Sequence, residues 1–174
     1  MNARPEGLDY KSGDTFPDGN RYFFCGSHPR QQPQCFAAPI AGGPAVAVTP
    51  NGTVQSSLSP DGKRIAAQVG DSFKVFDVAG GPGQPVHGLT TADNLVRWSP
   101  DSRELWVYRN DPLVLRVDRV VPETGQRTRL IDVTPPAGSE LRDAYELRLN
   151  DNPLVHSYTQ SRYSSALFVV DGVR

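Results

Sequence analysis

Cys25 and Cys35 are the only two cysteines in the chain, and they are its best candidates for covalent chemistry. Tyr22–Cys25 and Gln34–Ala37 read as neighbouring strands joined through His28-Pro29-Arg30-Gln31. A hairpin centred at Arg30 sets residue i opposite residue 60−i, so Cys25 faces Cys35. Directly opposed Cβ atoms lie about 4.5–5.5 Å apart, close enough to relax into a disulfide. That distance is a little wide for a bridge, and a pair of small buried thiols is the favoured reading, with the disulfide as the alternative. With no second cysteine pair, the spacing carries no zinc pattern.

Other residue types with chemical potential are spread rather than gathered. His28, His87 and His156 stand too far apart for metal-ligand spacing. Asp18, Asp61 and Asp101 recur once per repeat, too far apart for one oxygen cage around calcium, and so read as turn-stabilising carboxylates. Neither a Gly-x-Ser-x-Gly elbow nor the glycine-rich and catalytic-loop motifs of a kinase occur. Trp98, Trp106 and Tyr108 cluster in one unit and could form a ligand platform. Trp98 takes the place of Leu58 in the repeat and Trp106 alternates with Leu105 and Val107, which favours core packing. No catalytic residue, cofactor site or metal site is predicted.

These residues are set by a repeat. Phe16-Pro17-Asp18-Gly19 recurs as Ser59-Pro60-Asp61-Gly62 and as Ser99-Pro100-Asp101-Ser102, with a worn copy at Leu149-Asn150-Asp151-Asn152. From aspartate to aspartate the steps are 43, 40 and 50 residues. A second landmark keeps phase: Pro39-Ile40-Ala41-Gly42-Gly43-Pro44, Asp77-Val78-Ala79-Gly80-Gly81-Pro82, Val121-Pro122-Glu123-Thr124-Gly125 and Val169-Val170-Asp171-Gly172. A period near 40 with short β-type segments is the signature of propeller blades of about four strands.

Turn chemistry delimits the strands. In Ser-Pro-Asp-Gly, proline presets φ, aspartate bonds nearby backbone and glycine takes the exit conformation. The second unit then reads as Val54–Leu58, Arg64–Val69, Phe73–Val78 and Pro85–Leu89, and the third as Leu95–Trp98, Glu104–Tyr108, Val114–Val120 and Arg127–Val133. Glu140–Leu149 admits a helix or a long connection as well as a strand. The fourth unit offers Arg148–Leu149, Leu154–Tyr158 and Ala166–Val170. Val54–Leu58, Leu95–Trp98 and Tyr145–Leu149 are the inner-strand candidates, and they bring mostly serine, arginine and apolar groups rather than acid–base pairs.

Composition narrows the classes further. Hydrophobic residues make up 37% of 174 and charged residues 21%, enough for a core and unlike a disordered chain. Sixteen glycines and sixteen prolines suit many tight turns. A net charge of −1 disfavours a nucleic-acid partner. The scattered arginines read as solvated strand faces. No stretch reaches the ~20 apolar residues of a spanning helix, and Met1–Asp9 lacks the apolar core of a signal peptide. The expectation is a soluble chain without membrane insertion, its location left open.

Ser59-Pro60-Asp61-Gly62-Lys63-Arg64-Ile65-Ala66-Ala67 resembles the repeat of TolB-like, WD-repeat-like propellers. Trp98-Ser99-Pro100-Asp101, Val121-Pro122-Glu123-Thr124-Gly125, His156-Ser157-Tyr158 and the ending Leu167–Arg174 resemble the tail of bacterial serine/threonine protein kinases whose C-terminal half is such a propeller. The likeness covers roughly residues 14 to 174. It implies a sensor or docking ring outside the kinase catalytic core, with a protein or small ligand as partner.

The resulting expectation is an all-β chain: an N-terminal tail over 1–12, then blades at 13–50, 53–90, 94–133 and 145–174, the last incomplete. Such a set is an open arc of a larger propeller that self-associates through exposed blade faces. It is a non-catalytic binding module. The alternative is the propeller part of a peptidase or other hydrolase whose catalytic domain lies elsewhere.

Overall fold

The computed structural model describes residues 8–111, 114–134 and 141–162. Every element among them is a β-strand or a turn. The strands fall into four antiparallel sheets of consecutive segments. The first holds β1 (Asp9–Thr15), β2 (Arg21–Ser27), β3 (Gln34–Pro39) and β4 (Val46–Ala47). The second holds β5 (Thr53–Leu58), β6 (Arg64–Val69), β7 (Ser72–Asp77) and β8 (Gln84–Pro85). The third holds β9 (Asn94–Trp98), β10 (Leu105–Asp111), β11 (Val114–Val120) and β12 (Arg127–Val133), and the fourth pairs β13 (Leu141–Leu149) with β14 (His156–Arg162). These are blades of an incomplete, open propeller.

Each repeat turn joins the first and second strands of its blade. Phe16 N–H donates to the Arg21 carbonyl, Ser59 N–H to Arg64 and Ser99 N–H to Glu104, at 2.8–2.9 Å. Inside each turn the aspartate accepts a backbone N–H two residues on: Asn20 for Asp18, Lys63 for Asp61, Arg103 for Asp101. The fourth unit closes alike, from Asn150 N–H to the Val155 carbonyl, and there Asn152 Oδ1 takes the Leu154 N–H. The position matching the repeat aspartate is therefore Asn152, one residue beyond the Asp151 that the sequence alignment chose. A neutral amide oxygen accepts the same bond, so the turn survives without its carboxylate.

Consecutive turns touch. Gly62, at φ 70°, sits so close to Pro17 that a Cβ there would lie 2.8 Å from the proline ring. In the next pair glycine is absent: Ser102 takes the left-handed conformation itself, at φ 61°. Its hydroxyl accepts the Asp61 N–H at 3.1 Å, and its carbonyl accepts the Arg64 guanidinium. The conformational cost of a side chain at positive φ is set against two bonds to the preceding blade.

The cores lie between blades. Phe23, Cys25 and Cys35 of the first blade meet Leu58, Ile65 and Phe76 of the second. Ala66 and Phe73 meet Trp98, Leu105 and Val107 of the third. Trp106, Tyr108 and Val117 meet Leu147 and Leu149 of the fourth. Trp98 is wholly buried and its indole N–H donates to the Ser57 carbonyl of the preceding blade, 3.1 Å away.

Several boundaries differ from expectation. Residues 9–12, read as tail, form the start of β1, which is polar and exposed along its length and so shows no alternation. Of the segment that admitted a helix, a connection or a strand, Leu141–Leu149 is strand β13, and residue 140 lies outside the described residues. The expected strand Pro85–Leu89 shortens to Gln84–Pro85, because the His87 N–H turns away to the Pro122 carbonyl of the third blade. His156 is exposed. The expected strand Ala166–Val170, with the end of the fourth blade, lies outside the described residues.

Replacing Ser102 by alanine keeps the unfavourable φ and removes the hydroxyl, and should cost about 1–2 kcal/mol. Replacing it by glycine regains backbone freedom and should cost clearly less. Urea unfolding of the two variants checks the order; equal losses would contradict this account of the clasp.

Candidate functional site

The first strands of the four blades, β1, β5, β9 and β13, face one another across a cleft with two adjoining parts of about 500 Å³ each. Its lining is mixed, with Ser12, Ser56, Asn94 and Arg148 beside Val54 and Val96. Each of the four strands carries a bulge against its neighbour in the blade. The interruptions fall between Tyr10 and Ser12, between Thr53 and Gln55, between Leu95 and Arg97, and between Tyr145 and Arg148. The residues inside them, Lys11, Val54, Val96 and Glu146 with Leu147, all line the cleft.

Charge is handled differently inside and outside this cleft. Arg97 of β9 is engaged, donating to the Leu149 carbonyl at 3.2 Å and to Asp151 at 2.7 Å. Arg148 and Lys11 make no hydrogen bond or ion pair among the described residues. Asp14 is held by its neighbour's N–H, from Thr15 at 2.7 Å, and Glu146 accepts the Thr159 hydroxyl at 3.1 Å.

A second polar centre is structural. Asp93, wholly buried in the turn before β9, accepts Arg109 Nε at 2.8 Å, Arg127 Nη2 at 2.7 Å and the Thr90 N–H at 2.9 Å. Arg127 also reaches Asp118, which takes Arg129 at 2.6 Å. Burial alone would raise the Asp93 pKa, but the hydrogen bonds from Arg109 and Arg127 outweigh it and hold the carboxyl below its usual range. The arginines here are not the solvated strand faces expected from their scatter; they tie three strands and a loop of one blade together. Sequence reasoning passed over Asp93 because its partners lie 16 and 34 residues away.

The repeat residues Pro17, Asp18, Gly19, Pro60, Asp61, Gly62, Pro100 and Asp101 stay in their separate turns. Among the described residues no three His, Cys, Asp or Glu side chains form a group that could hold a metal. Trp98, Trp106 and Tyr108 are core. Cys25 lies opposite Cys35 in a register that pairs each residue i from Arg21 to Gly26 with 60−i of β3, and the hairpin turns at Arg30 with φ 68°. The two sulfurs are joined as a disulfide, with Cα atoms 4.0 Å apart. The Ser56 hydroxyl of the second blade donates to Cys25 Sγ at 2.9 Å, so the bridge also touches the cleft wall.

No family model and no curated protein matches the chain. Solved propeller structures do. TolB from Acinetobacter baumannii is 14% identical over 91% of this chain and 39% of its own, with a TM-score of 0.62. The β-propeller domain of the Trilobed protease from Pyrococcus furiosus is 14% identical over 80% of this chain and 48% of its own, at 0.54. A prolyl endopeptidase is 16% identical over 90% of this chain and 26% of its own, at 0.56. The chain thus has a TolB-like propeller fold and spans well under two thirds of the structures it matches.

Two outcomes follow. Because the Asp93 carboxyl is held below its ordinary value of 3.8, its contribution is complete above about pH 4 and is lost as pH falls through the folded value. Asp93→Asn should lose about 2–4 kcal/mol at pH 7, with the deficit shrinking at pH 3; thermal melts across pH check this, and a constant deficit would contradict it. Reduction of Cys25–Cys35, which closes a short loop, should lower stability by about 2–3 kcal/mol, read as a fall in Tm with dithiothreitol that is absent in a Cys25→Ala, Cys35→Ala double variant.

Proposed function

We propose that this chain is a non-catalytic propeller module that binds a protein or ligand in the cleft of its inner strands. We propose further that it serves as the C-terminal sensor or docking part of a bacterial serine/threonine kinase-type signalling protein. The cleft carries the first part: four bulged inner strands converge on it, and two of its cations, Lys11 and Arg148, have no hydrogen-bond or ion-pair partner among the described residues. Elsewhere in the blades, arginines such as Arg109, Arg127 and Arg129 are engaged by carboxylates. The kinase context rests on the sequence resemblance of Trp98–Asp101, Val121–Gly125 and the C-terminal ending.

A hydrolase context is the second reading, favoured by the likeness to propeller domains of the Trilobed protease and of a prolyl endopeptidase. In either context the propeller binds and the chemistry lies elsewhere.

Ser12 is exposed and lines both parts of the cleft, so Ser12→Trp should obstruct it without touching a core. Arrays of immobilised peptides and oligosaccharides probed with the labelled chain should retain ligands that the variant does not; identical retention would overturn the cleft as the site. A kinase catalytic domain encoded in frame upstream of Met1 would support the signalling context, and a peptidase domain there would replace it.

A further inference from the structure

The binding reading leaves the class of ligand open, and the bulges narrow it. A β-bulge sets two residues against one, bends its strand and re-aims a side chain, and bulges gather at functional sites. Here all four inner strands bulge toward the same cleft, and at residues of different character. Lys11 is the extra residue of β1, Val54 that of β5, and Val96 that of β9; Glu146 and Leu147 stand against one residue of β14. Val54 is 61% exposed, and Glu146 holds φ 54°, a left-handed conformation uncommon outside glycine. An exposed valine and a strained glutamate on one cleft are costs that packing does not explain.

The charges at this level are separated rather than paired. Lys11 and Arg148 stand on β1 and β13, opposite ends of the arc, and neither neutralises Asp14 or Glu146. Those two carboxylates are already bonded, to a backbone N–H and to the Thr159 hydroxyl. Lys11 and Arg148 are thus the charged side chains of the cleft that have no hydrogen-bond or ion-pair partner among the described residues. Between the cations lie the two valines. The backbone of β1 adds one more feature: it pairs with β2 along one edge, and no described strand pairs with the other. A free edge is a template for an extended peptide.

We propose that the cleft takes an extended peptide segment in which acidic residues alternate with aliphatic ones. Its carboxylates meet Lys11 and Arg148, its aliphatic side chains rest on Val54 and Val96, and its backbone runs along the free edge of β1. This inference rests on the binding reading above. A peptide fits better than an acidic saccharide, because a saccharide uses neither the strand edge nor the exposed Val54.

The test is fluorescence polarisation with a labelled acetyl-Gly-Leu-Glu-Leu-Glu-Gly-amide probe, against a version with lysine in place of glutamate and against a tetramer of a uronic acid. The acidic peptide should bind, weaken with salt, and lose about fivefold in affinity in each of Lys11→Gln and Arg148→Gln. Val54→Ser should weaken it too, whereas Lys63→Gln, in a repeat turn away from the cleft, should not. Both cations are exposed, so neither substitution threatens the fold. Equal binding of the lysine peptide, or binding of the uronic acid alone, would overturn this inference while sparing the cleft as a ligand site. Failure of all three probes would also overturn it, leaving the cleft to the array experiment. Acidic-peptide binding indifferent to Lys11, Arg148 and Ser12→Trp would overturn both.

Discussion

Three of the four apolar clusters among the described residues lie between neighbouring blades rather than within one, and most other features follow from that constraint. A four-stranded sheet has two faces and no interior, so the cores sit between sheets: Phe23 and Cys35 against Ile65, Phe73 against Leu105, Trp106 against Leu149. The second strands of the first three blades are consequently apolar on both sides; in β6, Ile65, Ala66 and Ala67 are all wholly buried. The first strands are spared this demand on their open side. They can be polar, bulged and exposed, and they form the cleft.

The same constraint explains why the repeat turns are placed where they touch. Facing sheets must keep a fixed offset, or Trp98 would lose both the pocket under Arg64 and its bond to the Ser57 carbonyl. The contacts of Pro17 with Gly62 and of Asp61 and Arg64 with Ser102 hold that offset at one rim. The bond from His87 to Pro122 adds a further tie between the second and third blades. The Asp93 centre acts inside the third blade, fixing the loop that delivers β9.

Much of this was legible in the residues. Turn motifs carry their own geometry, so the phase of the blades and the ends of β6, β11 and β12 could be read directly. The Cys25–Cys35 register followed from a single turn at Arg30. Three things were not legible. The strand β1 is polar on both sides and shows no period. The fourth turn keeps its hydrogen bond through Asn152, so matching aspartate to aspartate lands one residue short. Bulges and the Asp93 network depend on pairing across sequence, and no local pattern announces which residue is extra or which arginine turns inward. Val54, Val96 and Arg148 fall within the inner strands read from the sequence, but not as cleft-lining residues, and Lys11, read as tail, was hidden.

The sheets are built from consecutive strands, and this bears on how the chain comes into being. No described strand waits for a partner from another blade, so contacts within a sheet close short loops and form early. During synthesis each blade can assemble once its ~40 residues have emerged, well before the next is made. What it lacks until then is a cover for its forward face. The second blade holds Ala66 and Phe73 open until Trp98 and Leu105 arrive, and only then can Arg64 close on Ser102. The order of translation is thus also the order in which each apolar face is sheltered, and a pause between residues 62 and 102 would prolong the exposure of that face.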